Sequence, residues 1–229
     1  MKMQSVIRML ALGLVCLSLF CACGKGAYTL TYEDGYFRND AKEASYAEAP
    51  VCYRACSALK GETVAKISGL RLEDVPLYAI ENLDPDQYLT DESYTLYYST
   101  ALTLPTLAEM KPYCISLVQT GDNTATELDS LGEENTAEIS DLVEILSRGT
   151  SYPGQKLSAY TPDQRFELLF HSKEYPGFFY VLEYWHFEST ATFKDGETEI
   201  DVGKGVVYDR AADRFFVMGD ILESYFINT

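Results

Sequence analysis

Residues 178–187 read FFYVLEYWHF, and the fold turns on how this run is placed. It is the longest and most apolar strand candidate in the chain. Bulky side chains fall on both of its faces, which suits a central strand covered on two sides. Immediately before it, Lys173–Gly177 (KEYPG) reads as a turn and Arg165–His171 (RFELLFH) as a partner strand. Beyond it, Asp195-Gly196 is a two-residue hairpin signal. Lys204–Tyr208 and Arg214–Met218 flank a second hairpin turn over Asp209–Asp213.

Upstream of this sheet, Ile139, Leu142, Val143 and Leu146 share one stripe of a 3.6-residue period. Asn135 with Glu138 suits a capping pair, and Gly149 closes the helix. Asp220 and Glu223 open a last short helix with Ile221, Leu222 and Phe226 facing inward. The reading is therefore α+β: a predominantly antiparallel sheet, one main helix at about 136–148 packed on a C-terminal meander, and a short terminal helix. The alternative is a C-terminal half that resembles cystatin-like or NTF2-like folds, joined to a β-rich N-terminal half. That resemblance is one of topology and carries no function.

The N-terminal half reads as strands Ala27–Glu33, Glu62–Leu70, Pro76–Leu83, Tyr94–Thr100 and Tyr113–Thr120, with residues 33–50 as a polar loop. A short helix is expected over 104–110, entered at Pro105 and ended by Pro112. Residues 121–135 (GDNTATELDSLGEEN) are acidic and rich in turn formers, and mark the best internal boundary.

The chain begins with an address. Lys2 and Arg8 precede an apolar run, residues 9–22 (MLALGLVCLSLFCA). As a helix it would be roughly 21 Å long, too short for a bilayer core of about 30 Å, so it reads as a secretory signal. The run ends Leu19-Phe20-Cys21-Ala22-Cys23-Gly24, which resembles the lipobox of bacterial lipoproteins. That resemblance covers about the first tenth of the chain and departs from the family where Phe20 replaces the usual Leu. It implies cleavage after Ala22 and a diacylglycerol on the Cys23 thiol. The expected organisation is a signal peptide over 1–22, a lipidated Cys23 with a short tether to residue 27, and one domain over 28–229, with a subdivision at 121–135. The expected location is the outer face of a cell membrane.

The formal charge is −17, and loss of Lys2 and Arg8 with the leader takes it to about −19. Such a surface repels phosphate backbones and anionic headgroups, so nucleic acid is excluded as a partner and the lipid must do the holding. With Cys16 and Cys21 in the leader and Cys23 lipidated, Cys52, Cys56 and Cys114 remain. They are candidates for one disulfide outside the cytoplasm, or for buried free thiols. With His171 or His186 they match no common zinc spacing, and no metal or other cofactor is expected.

Complete catalytic sets are not seen in the sequence. Ser57-Ala-Leu-Lys60 matches S-x-x-K without the companion motifs that chemistry needs. His171 and His186 fall at opposite ends of a hairpin. Glu183 is the only acid inside 178–187 and is expected to face water or meet an arginine such as Arg165. Asp84, Asp86, Asp91 and Glu92 offer at most a weak cation site, because Pro85 breaks the EF-hand pattern. Tyr94, Tyr97, Tyr98, Tyr184 and Trp185 read as packing residues. The expected function is a tethered binding module for an envelope protein or a glycan. The rivals are a carboxylate-pair hydrolase of wall or extracellular glycans and a structural subunit of an envelope complex.

Overall fold

The computed structural model describes residues 27–39, 41–69, 73–121, 125–195 and 198–226. The expected signal sequence over 1–22, Cys23 and Gly196 lie outside them.

The expected α+β fold is overturned. Strands make up 54% of the structure and helices 18%, and the strands form a closed seven-stranded barrel plus a second sheet. The barrel uses β1 (Tyr28–Glu33), β2 (Tyr36–Asn39) and β3 (Ala44–Glu48). The chain then leaves it for β4 (Tyr53–Ala55) and returns as β5 (Lys60–Ser68), β6 (Val75–Ile80), β7 (Tyr88–Thr90) and β8 (Leu96–Ser99). The order is β1-β2-β3-β8-β7-β6-β5, and a parallel pairing of Tyr28–Thr31 with Ala65–Ser68 closes the ring. Closure satisfies the backbone groups that short strands would otherwise leave on an open edge. The residues 33–50 expected as a loop are instead the β1–β2–β3 meander. Its first turn is Asp34-Gly35, with φ of 52° and 87°, the positive pair that a type I′ hairpin requires. Leu30, Phe37, Tyr46, Ile67, Leu77 and Leu89 fill the interior.

The second sheet contains β9 (Pro112–Thr120), β10 (Ala125–Leu131), β11 (Ser151–Pro153), β12 (Gln164–Ser172), β13 (Phe178–Asp195), β14 (Thr198–Asp209) and β15 (Arg214–Val217). Its order is β10-β9-β12-β13-β14-β15-β11, with β4 also paired to the start of β13. The expected C-terminal meander is thus incomplete by itself, because β9 and β10 precede the helix in sequence and extend the sheet beyond β12. Residues 125–131, read as a boundary segment, are its edge strand. The run at 178–187 is central: β12 lies on one side, and β14 and β4 on the other. The strand continues to Asp195 through register shifts between His186 and Thr192, which bend it.

Helix α1 (Leu107–Met110) is entered not at Pro105 but through the next residue, Thr106, as N-cap: Thr106 Oγ1 accepts from Glu109 N at 3.3 Å and Glu109 Oε2 accepts from Thr106 N at 2.8 Å. Helix α2 (Thr136–Arg148) buries Ile139, Leu142 and Leu146 against one face of the second sheet. Asn135 does not cap it as expected; its Oδ1 accepts from Gly132 N at 3.2 Å and closes the preceding turn. Gly149 ends the helix where any Cβ would collide with the Ile145 carbonyl. Helix α3 (Ile221–Phe226) buries Leu222 and Phe226 in the same core.

Barrel and sheet share a third core, in which Ala49, Ile80, Tyr88 and Leu96 meet Met110 and Phe178. Within the second sheet, Arg54 on β4 donates to Glu167 on β12 through both Nη atoms, at 3.1 and 2.7 Å. Such a bidentate fork fixes orientation as well as adding energy.

Candidate functional site

A cleft of about 350 Å³ opens where α1, the end of α2, and strands β13 to β15 come together. Its size falls within the range of roughly 300–1,000 Å³ used for small ligands. The α1 wall is held because Leu107 and Met110 are buried and because Tyr53 donates its hydroxyl to the Pro105 carbonyl at 2.7 Å. The α2 wall follows from helical period: with Leu142 and Leu146 turned to the sheet, Ser147 and Arg148 emerge at the rim.

The third wall is the β14–β15 hairpin. Asp209, only 3% exposed, accepts from Ala212 N at 3.1 Å and from Arg214 Nε at 3.3 Å. It therefore shapes the turn and orients the arginine. Arg214 remains half-exposed, and its guanidinium lies 5.2 Å from the Phe216 ring centre. The back of the cleft is Tyr180 and Leu182, with Tyr53 and Tyr180 edge to face at 5.1 Å. Burial pushes both phenols above their ordinary range, so they stay protonated. Behind them Cys52 neighbours Tyr180, and burial raises its thiol to about 11. A buried thiol of that kind is inert as a nucleophile.

Cys52, Cys56 and Cys114 are all free thiols in the structure. Cys52 backs the cleft, Cys56 follows β4 at the seam, and Cys114 stands opposite His171 on β9 and β12. His171 Nε2 and Ser116 Oγ are 2.9 Å apart, the spacing of a base and a nucleophile. Ser116 is only 2% exposed, however, and no carboxylate hydrogen-bonds the imidazole among the described residues. The pair is a satisfied polar contact inside the sheet. Burial lowers the His171 pKa, with a smaller opposing effect from Glu127.

His186 lies at the far end of β12 and β13, opposite Gln164. Both of its ring nitrogens, and the hydroxyl of Tyr184 beside it, are buried without hydrogen-bond partners. Glu183 meets Arg210 and accepts from Trp185 Nε1 at 3.0 Å, while Arg165 lies over the Trp185 ring at 4.4 Å. The acids at 84–92 are committed separately. Asp86 pairs with Lys42, Glu92 with Lys60, and Asp91 accepts from Ser93 N and Thr95 N. Ser57 is exposed at a turn, and Lys60 is taken by Glu92. No group of three or more His, Cys, Asp or Glu among the described residues is placed to hold a metal ion. No helix among them is long and apolar enough to cross a membrane.

Arg148, Asp209 and Arg214 are the cleft residues that sequence reasoning passed over. The 209–213 turn was visible, but nothing local to it indicates that the end of α2, some sixty residues earlier, faces it. No family model, curated protein or solved structure matches the chain.

Proposed function

We propose that this protein is a membrane-tethered, extracytoplasmic binding module, held by a lipid on Cys23 and taking its ligand in the α1–α2–β15 cleft. The observation that carries the tether is the Ala22-Cys23 lipobox end, followed by only residues 24–27 before β1 begins at Tyr28. Four residues span at most about 14 Å at ~3.5 Å each, so the barrel would ride close to the headgroups. Two acyl chains suffice for stable anchoring, and a surface this acidic adds no electrostatic attraction of its own.

Binding is favoured over carboxylate-pair hydrolysis because the cleft is lined by one carboxylate, Asp209, and Arg214 already engages it. A glycosidase of that type needs two carboxyl groups across the scissile bond.

Metabolic labelling with palmitate tests the tether. The wild type is expected to incorporate label and fractionate with membranes, and Cys23→Ala to lose both. Equal labelling of the two would refute the anchor.

A further inference from the structure

We infer that the cleft binds a small oxyanion carried on a short apolar body, of which a branched aliphatic carboxylate is the simplest example. The inference rests on the binding-module reading and adds to it a ligand class. Two arginines, Arg148 and Arg214, line one cleft in a protein whose formal charge is −17. The acid facing them, Asp209, is nearly sealed from solvent and meets only the Nε edge of Arg214. Among the described residues, no hydrogen bond or ion pair engages the Nη atoms of Arg214, and none engages Arg148. Planar guanidinium forks match the geometry of carboxylate and phosphate oxygens.

The nearby hydroxyls leave the arginines as the main donors. Tyr53 is spent on Pro105, Thr106 on Glu109 and Tyr180 on Cys52, which leaves Ser147 at the rim. The remaining walls, Leu107, Leu146, Leu182 and Phe216, are apolar and suit the body of the ligand. A position in the last turn of α2 already favours a cation at residue 148, because helix carbonyls collect there. That effect alone would make Arg148 a matter of stability and not of affinity, so the test must read binding.

The test is calorimetric titration of the full chain, purified in detergent, with 4-methylpentanoate. Inorganic phosphate and the neutral 4-methylpentanamide serve as comparators. Saturable carboxylate binding is expected, weakened by added salt and by roughly tenfold or more in Arg148→Gln, as loss of a charge-assisted hydrogen bond implies. Arg214→Lys keeps a cation beside Asp209 but removes the fork, and is expected to weaken binding in the same direction. The amide and phosphate are expected to bind at least roughly tenfold more weakly, each lacking one of the two recognised parts.

Absence of saturable binding would overturn the proposal. So would equal affinity for the amide or for phosphate, or unchanged affinity in both variants. Failure here with Cys23 labelling intact refutes the ligand class alone, while loss of labelling with titration intact refutes the tether alone.

Discussion

The barrel and the helix-covered sheet each bury one tyrosine completely, and the two are treated differently. Tyr46, in the barrel, has its hydroxyl 3.3 Å from that of Tyr28 and donates to the Asp86 carbonyl at 3.2 Å. Tyr184, in the sheet, stacks on Phe166 but leaves its hydroxyl without a partner. The contrast follows from how each region is closed. A small barrel of short strands has its connecting loops close to its interior, so backbone carbonyls such as that of Asp86 reach a buried hydroxyl. The sheet is closed by helices α2 and α3, whose inward faces are apolar and whose backbone groups are already paired along the helix. The buried phenol is therefore satisfied at Tyr46 in the first region and left unpaired at Tyr184 in the second.

The largest effect is expected where the two regions meet. Phe178→Ala removes a side chain that is 1% exposed from the shared core, at a cost of about 3–5 kcal/mol. Trp185 is the sole tryptophan and lies in the sheet, so its fluorescence follows that region while far-UV circular dichroism follows both. Urea curves from the two probes should coincide in the wild type and separate in Phe178→Ala. Coincidence in the variant would mean that the seam is not what couples barrel to sheet.

The tyrosine pair gives a smaller and more pointed effect. Tyr46→Phe should cost about 0.5–1.5 kcal/mol, the net worth of a buried hydrogen bond. Tyr184→Phe should fall within about 0.5 kcal/mol of neutral or be stabilising, because it removes an unpaired polar group. Matching losses in chemical denaturation would erase the contrast between the two cores.

The smallest effect is expected from pH. Burial depresses the His171 pKa in the folded protein below the unfolded value of about 6.5. The unfolded chain then takes up a proton at a higher pH than the folded one does. Stability from this group is complete above about pH 6.5 and declines as the pH falls towards the folded pKa. His171→Gln should flatten that part of the urea midpoint profile, and an unchanged slope would assign it to other groups.

What was legible in the sequence was local. The 178–187 strand, the hairpins around Asp195 and Asp209, and helix α2 all declare themselves by period or turn chemistry over ten to fifteen residues or fewer. Asp34-Gly35 carried a signal of the same strength and was absorbed into a supposed loop, because the segment around it is polar. A polar segment is what one side of a small barrel should look like. The candidate site was not legible, since Arg148, Asp209 and Arg214 are ordinary charged residues at a helix end and a hairpin turn. Each has a local role that explains it without a ligand.

By itself the sequence determined the excess of negative charge and the strand-forming character of most of the chain, and the proposed leader and Ala22-Cys23 junction rest on it alone. These depend on residue type and short-range period alone. Only the tertiary structure decided that residues 28–31 pair in parallel with 65–68 to close a barrel, that β9 and β10 join strands on the far side of α2, and that two arginines face one cleft. Each of those outcomes joins segments far apart in the chain, and is chosen by which apolar faces and open strand edges can be covered together. That competition belongs to the whole molecule, and no window of sequence contains it.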